Sequence, residues 1–348
     1  MHDKQIKHAS IKTSIWILIM TSPKKIIVTG GAGYIGSAIC SFLQDNGITP
    51  IVLDSLVTGN KDFIRDFPFY QNDISEPGII SRIRKEHPEA IALIHCAARI
   101  IVEESVKDPE LYYRENVLKS LELFKQCGEA GITSIVFSSS ASVYGESESQ
   151  LVSEDAPLNP QSPYAKTKAM MEQILEDFSK VYNFNALSLR YFNPIGSDPS
   201  LRTGAFVKNP THILGTLQKC ARDGTSFKVF GTNYPTRDGT GVRDYIHVWD
   251  LAAAHLQAVN YLIGNPDICH DVINLGTSKG TTVKEFVSAF ESVSQKSITA
   301  ETAQPRAGDV AGVYASNEKA KKLLGWLPEF SIETGIRDSL SWEKKFLG

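Results

Sequence analysis

From Lys25 onward, short apolar runs alternate with longer amphipathic stretches. Ile26-Ile27-Val28, Ile51-Val52-Leu53, Ile91 to Ile94 and Ile135 to Phe137 are aliphatic or aromatic throughout, and Leu187 to Leu189 is interrupted only by Ser188. Between them lie segments of helical length. Tyr34 to Asp45 is closed by the helix-stop pair Asn46-Gly47, another stretch runs from Pro109 to about Ala130, and a third begins near Ser162. A strand that is apolar along its whole length is covered on both faces, and strands separated by helices build parallel sheets. The pattern predicts an α/β fold around a doubly wound parallel sheet.

After about Asn193 the rhythm breaks. Pro194, Gly196, Pro199, Gly204 and Pro210 crowd together, and mixed strands and helices follow, with a long loop around Tyr234 to Gly241. This part reads as a smaller C-terminal α+β lobe that closes over the first. The expected division is an appendage at 1–23, a cofactor domain at 24–193 and a substrate-binding lobe at 194–348, with some chain crossing between lobes. In the appendage, Lys4, Lys7 and Lys12 precede the apolar run Ile15 to Met20. That run is short for a signal peptide and lacks a small-residue cleavage site, so an upstream start ahead of Met20 is the expectation.

Composition narrows the function. The 348 residues are 42% hydrophobic and 22% charged, with a formal net charge of -3. Disordered and fibrous classes drop out. With no global basic field, neither nucleic acid nor an anionic membrane is expected as a partner. No apolar run reaches the roughly 20 residues of a membrane span. The five cysteines, Cys40, Cys96, Cys127, Cys220 and Cys269, are scattered and form no C-x-x-C pair. They read as core residues of a cytoplasmic protein, and no metal site is expected.

Thr29-Gly30-Gly31-Ala32-Gly33-Tyr34-Ile35-Gly36 holds G-x-G-x-x-G between the first strand and the first helix. Glycines there make a tight turn and let backbone approach a pyrophosphate, which the free N–H groups of the helix start attract. The sheet is then of the Rossmann type. Asp54 ends the second strand, 18 residues beyond Gly36. A carboxylate there accepts from an adenosine ribose and repels a 2′-phosphate, which favours NAD over NADP. Asn72-Asp73-Ile74 follows a third strand, within reach of the adenine.

Tyr164 and Lys168 stand at i and i+4 on one helix face. A phenol is a poor base at neutral pH, and an ammonium or the positive nicotinamide nearby favours its ionised form. Such a phenolate can take a proton from a sugar hydroxyl while the carbon yields a hydride. Alone, this pair also occurs by chance on surface helices. Ser138-Ser139-Ser140 leaves a strand at its carboxyl end, where ligands collect in open parallel sheets. Ser140 is placed to bond both the phenol and a substrate hydroxyl, and one of the three serines is expected to be a turn or cap residue.

Together the glycine loop, the serine run and Tyr-x-x-x-Lys resemble the extended short-chain dehydrogenase/reductase superfamily. More narrowly, the chain is similar to the UDP-glucose 4-epimerase (UDP-galactose 4-epimerase) family from about Lys24 to the C-terminus. The stretches that carry this are Phe137 to Gly145, Pro160 to Tyr164, Arg190 to Pro194, and Tyr234 to Val248, which reads YPTRDGTGVRDYIHV.

The resemblance implies Tyr164 as acid/base, assisted by Ser140, with Lys168 holding the nicotinamide ribose. It implies that Gly30, Gly33, Tyr34, Ile35 and Gly36 meet the pyrophosphate. Asp54, Ser55, Leu56, Val57, Thr58 and Gly59 would meet the ribose, and Asp73 and Ile74 the adenine. Cys96, Ala97, Ala98, Ile100, Asn116 and Phe192 would line the rest of the NAD site. A UDP-sugar would be held by Asn193, His212, Ile213, Lys228, Val229, Phe230, Arg243, Arg306, Asp309 and Val313, and a homodimer joined through Pro109 to Ala130 and Ser162 to Tyr182.

The chain departs from its relatives at four positions. Ile100 stands where many carry Lys, Glu115 where Asn is common, and His212 where many have Asn. Val313 replaces a bulky Tyr found in some, which implies room for an N-acetylated sugar. Expected is reversible C4 epimerisation of UDP-galactose and UDP-glucose. The alternatives are a 4-epimerase of UDP-N-acetylglucosamine, a UDP-pentose or UDP-glucuronate, and a non-catalytic NAD sensor. A 4,6-dehydratase would need an Asp-Glu pair beside the serine position, where this chain reads Ser139-Ser140-Ala141.

Overall fold

In the computed structural model, which describes residues 24–145, 149–205, 210–305 and 311–347, every predicted apolar run is a buried strand. The strands are β1 (Lys25–Thr29), β2 (Thr49–Leu53), β3 (Phe69–Tyr70), β4 (Ala92–His95), β5 (Ser134–Ser138), β6 (Asn185–Tyr191) and β7 (His270–Leu275). They form one seven-stranded sheet in the order β7-β6-β5-β4-β1-β2-β3, parallel at every pairing. Chain order reverses between β1 and β4, and the crevice outside that reversal is where such sheets bind ligands.

Two apolar layers cover the sheet. On one face, α1 (Tyr34–Asp45) and α3 (Val248–Gly264) supply Ile39, Leu43, Leu251 and Val259 to a core shared with Val28 and Ile94. The rings of Phe42 and Trp249 meet edge-on at 5.3 Å. On the other face, α2 (Pro163–Tyr182) and two earlier helices bring Met171, Leu175, Leu123 and Ile83 against Ile27, Leu93 and Ile135.

The predicted helix from Pro109 exists, but it is π-helical over Tyr113–Leu118 between α-helical Pro109–Tyr112 and Lys119–Glu129. That wider turn carries the buried Asn116. π turns inserted in α-helices frequently serve functional sites.

The smaller lobe has its own core around Leu217, Phe227, Tyr245, Phe286, Phe290 and Ile336. Its strands pair as Phe227–Phe230 with Ala300–Ala303, Asn193–Ile195 with Tyr245–His247, and Val242–Arg243 with Thr281–Thr282. Thr282 and Glu285 form a reciprocal capping box on helix Val283–Ser294, an arrangement worth about 1 kcal/mol. The division at 193/194 is crossed by the chain, because α3 and β7 return to the first lobe's sheet. Tyr34 Oη donates to Gly196 O at 2.8 Å, and Arg202 holds Asp45 through both carboxylate oxygens. The first contact joins the lobes beside the glycine loop, and the second joins them at the far end of α1. Among the described residues no helix is long and apolar enough to cross a membrane.

Candidate active site

The glycine loop is built for close approach. Gly30 turns at φ +69°, and a Cβ there would sit 2.7 Å from Ala97 N. At Gly36 a Cβ would collide with the backbone of Gly30 and Gly31. Helix α1 starts at Tyr34 with Gly33 as its N-cap, no side-chain cap and no acidic residue in its first turn. Unfilled helix-start amides with a positive dipole end and no carboxylate competitor suit a diphosphate. The residues present therefore fit a dinucleotide.

Asp54, expected at the ribose, also works on the backbone. Its Oδ2 accepts from Ala32 N at 3.0 Å and its Oδ1 from Leu56 N at 2.8 Å. This fixes the glycine loop against the loop Ser55 to Gly59, where Leu56 takes φ +59°. Each carboxylate oxygen keeps a second lone pair for a ligand. Gly59 is tight against both, since a Cβ there would lie 2.8 Å from Ala32 Cβ and 3.0 Å from Asp54 Oδ1. Within this loop Ser55, Val57 and Thr58 are exposed.

Asp73 Oδ1 accepts from Ser75 N and Oγ, and Oδ2 from Lys119 Nζ at 2.6 Å. Lys119 is held in turn by Glu115 at 2.8 Å. The unusual Glu115 thus ties the adenine-side loop to the π-helical segment. Ile74 points into the core, which leaves its backbone for a ligand.

Beyond β4, the Cys96 thiol lies 3.1 Å from Ser138 Oγ, and burial pushes its pKa up to about 11. Ala97 N lies 3.4 Å from Thr29 Oγ1. Ala98 is half-buried, whereas Ile100 is 64% exposed. The Asn116 side chain, expected at the cofactor, is used internally. It accepts from Arg99 N at 2.8 Å and donates to Arg99 O at 3.0 Å and Thr167 Oγ1 at 3.2 Å. Its contribution is to hold the 97–100 loop against α2, because those bonds occupy both ends of the amide.

Tyr164, Lys168 and Ser140 come together at the carboxyl end of β5. Burial raises the Tyr164 phenol's pKa, and the Ser140 hydroxyl pulls it back. Lys168 Nζ donates to Ser138 O at 2.7 Å and lies 6.0 Å from the Tyr164 ring centroid. Burial lowers its pKa to about 8 against opposing contributions from Cys96 and Glu172. In the protein alone, burial is the larger influence on the phenol and the Ser140 hydroxyl the one that opposes it. Ser140 also caps the short turn Ala141–Val143, accepting from Ser142 N at 3.2 Å. Ser138 and Ser139 are the structural pair: Ser138 Oγ bonds His255 Nε2 at 3.0 Å, and Ser139 Oγ donates to Glu172 Oε1 at 2.5 Å. Sequence reasoning missed Glu172, although its place at i+4 from Lys168 was the available signal.

At the junction of the lobes, Phe192 is buried with Val143 and Tyr144, and Val313 packs against the same small cluster. Asn193 Nδ2 donates to Asp244 O at 3.1 Å. His212 caps helix Ile213–Asp223, accepting from Gly215 N through Nδ1 at 3.2 Å. An Nδ1 that accepts from a backbone N–H carries no proton, so the ring caps the helix in the place of an asparagine. On Phe227–Phe230, Lys228 faces solvent and Val229 faces the lobe core, so only backbone at Val229 is open to a ligand. Phe230 is half-exposed. Arg243 Nη1 donates to Val242 O at 2.8 Å. Arg306 and Asp309 lie outside the described residues, as does the 1–23 appendage. Among the described residues no group of His, Cys, Asp and Glu could hold a metal ion.

Comparison with known proteins agrees with this arrangement. Residues 26–276 match the family described as NAD dependent epimerase/dehydratase. A UDP-glucose 4-epimerase of Rhizobium leguminosarum bv. trifolii is 41% identical over 323 residues, covering 92% of this chain and 97% of that protein. The crystal structure of a UDP-glucose-4-epimerase from Stenotrophomonas maltophila with bound NAD and formylated UDP-arabinopyranose superposes with a TM-score of 0.89. It is 34% identical, over 93% of this chain and 99% of that one. The UDP-glucose 4-epimerase of Brucella ovis in complex with NAD gives a TM-score of 0.87 at 34% identity, over 92% and 98%. By the glycine loop, the Tyr164-Lys168 pair and these likenesses, the chain belongs to the NAD dependent epimerase/dehydratase family, among its UDP-glucose 4-epimerases.

Proposed function

We propose that this chain interconverts UDP-galactose and UDP-glucose by inverting the configuration at C4 through a transient 4-keto sugar. The convergence of Tyr164, Ser140 and Lys168 outside the carboxyl end of the sheet, next to a dinucleotide cradle, carries this reading. When bound, NAD supplies the acceptor that takes the C4 hydride and gives it back, together with the positive charge of its oxidised ring.

The chain's own groups handle the proton and the orientation. Tyr164 Oη takes the proton of the sugar's 4-hydroxyl and returns it to the carbonyl oxygen after the keto sugar has turned over in the site. Ser140 Oγ holds both the phenol and the 4-oxygen. Lys168 Nζ keeps the strand end in place and binds the nicotinamide ribose. Gly33 to Gly36 hold the cofactor diphosphate, Asp54 the adenosine ribose, and Asp73 the adenine edge. Asn193, Phe230 and Arg243 bind the UDP moiety, with Arg306 and Asp309 assigned there by the family resemblance. A guanidinium fork suits a diphosphate.

The protein is expected to act as a homodimer in the cytoplasm, serving galactose metabolism. Leu118 (62% exposed) and Val181 (72% exposed) on the two helices named for the dimer support the first point, and sedimentation velocity tests it. The five scattered cysteines support the second.

Purified protein incubated with UDP-galactose and no added cofactor tests the activity. Appearance of UDP-glucose by NMR is expected, and conversion only while an external oxidant is consumed would refute it.

A further inference from the structure

Helix α2 grips the end of β5 with three successive turns. Tyr164, Lys168 and Glu172 are spaced four residues apart and so share one face. They meet three consecutive residues of the strand end: Tyr164 faces Ser140, Lys168 Nζ bonds Ser138 O, and Glu172 Oε1 accepts from Ser139 Oγ. Two of these contacts belong to the reacting groups already described. The third does not, and it is the most deeply anchored.

Glu172 is fixed from behind. Arg190 on β6 donates Nε to Glu172 Oε1 at 3.0 Å and Nη2 to Oε2 at 2.6 Å, and both side chains are buried. Arg190 Nη1 also donates to Tyr144 Oη at 2.9 Å, and Tyr144 Oη donates to Asn274 Oδ1 at 2.6 Å. The chain of bonds thus runs from β7 through β6 to α2 and ends on the serine next to Ser140. A buried ion pair gains little stability over a well-packed apolar replacement, so what this pair supplies is the geometry it fixes.

We propose that Glu172 is a positioning residue for the epimerisation: held by Arg190, it sets through Ser139 where Ser140 stands against Tyr164. The proposal rests on the function given above. Its content is that the Ser139-Glu172 bond acts on the phenol, although neither residue touches the reacting atoms.

Two variants separate positioning from simple support of the fold. Ser139→Ala removes one hydroxyl and leaves the Glu172-Arg190 pair intact. With NAD-loaded protein, kcat is expected to fall on the order of ten-fold or more, while KM and cofactor content stay within about two-fold. The phenolate titration of Tyr164, read as the absorbance difference from Tyr164→Phe, should move to higher pH as Ser140 loosens its hold. Glu172→Gln keeps an oxygen for Ser139 but turns an amide N–H₂ toward Arg190 Nη2, so it should lower Tm more than Ser139→Ala does and lower kcat less. Ser139→Ala with kcat and titration both unmoved would overturn the proposal, whatever happens to Tm. An inert wild-type protein would instead overturn the epimerase reading, and the titration would still decide the role of Ser139.

Discussion

Lys168 Nζ donates to the carbonyl oxygen of Ser138 at 2.7 Å, and its ammonium lies over the Phe137 ring at 4.8 Å from the centroid. The lysine is thereby fixed to the end of β5 by a neutral acceptor and an aromatic face, with its charge left for the ligands that gather there. An ammonium buried without a bonded carboxylate is easily discharged. This explains why its pKa is lowered to about 8, with burial the leading cause and Cys96 and Glu172 opposing it.

The charge of Lys168 should therefore set the alkaline limit of catalysis. Below about pH 8 the ammonium is present, and as pH rises through that value activity should decline. Lys168→Arg stays charged across the whole range and should flatten the decline in kcat/KM, even if the absolute rate is lower. An identical alkaline limb in both proteins would remove this role. The linkage has a definite sign. Since the folded value lies below the ordinary lysine 10.5, the unfolded chain binds the proton more tightly, and Lys168 adds stability as pH rises from about 8 toward 10.5.

Tyr164→Phe removes the proton carrier and little else. Turnover of UDP-galactose should drop by about 10³-fold or more, with NAD still bound as measured by absorbance and mass after release. Residual activity near wild type would transfer the acid/base role elsewhere.

At Gly36 a Cβ would strike backbone rather than a movable side chain. Gly36→Ala should yield protein depleted of NAD, and full cofactor content in that variant would disprove the close approach. Gly59→Ala, pressed against Ala32 and Asp54, should lose less.

Much of this arrangement was legible in the sequence. Apolar runs marked β1, β2, β4, β5 and β6, since parallel strands covered on both faces have little polar side to show, whereas β3 and β7 carried no such mark. The glycine loop and Tyr164-Lys168 were readable because their chemistry depends on spacing within one element. What escaped were contacts between elements: the Glu172-Arg190 pair links α2 to β6, and Lys119 links Asp73 to Glu115. The i, i+4 spacing marks Glu115 with Lys119 and Glu172 with Lys168, but nothing in the local pattern marks Asp73 or Arg190 as the partner across elements. Asn116 was assigned to the cofactor, but its amide is satisfied by Arg99 and Thr167, because a π turn swings it inward. Some crossing of the chain between lobes was expected, but that α3 and β7 are the elements that return to the first sheet was not readable, for a related reason. An apolar run reads as a strand without saying which sheet it joins.

Arg190 offers a stability test. Truncation to Ala leaves the Glu172 carboxylate buried and uncompensated, which should cost about 3–5 kcal/mol, measured by denaturant unfolding of the NAD-bound protein. A change under about 1 kcal/mol would mean that water or another donor replaces the guanidinium.

Val313 packs against the small cluster that holds Phe192, Val143 and Tyr144. Val313→Tyr should reduce the kcat/KM ratio of UDP-N-acetylglucosamine to UDP-glucose by about ten-fold or more, because a larger side chain fills the space an acetamido group needs. An unchanged ratio would free Val313 from any part in sugar selection.

The most direct test follows the hydrogen on C4. UDP-galactose carrying deuterium at C4 is incubated in ordinary water with protein as purified, and the UDP-glucose formed is examined by NMR. Retention of the deuterium at C4, with no cofactor added, is predicted, since the hydride leaves and returns without meeting solvent. Loss of the label to water would contradict hydride transfer at this site.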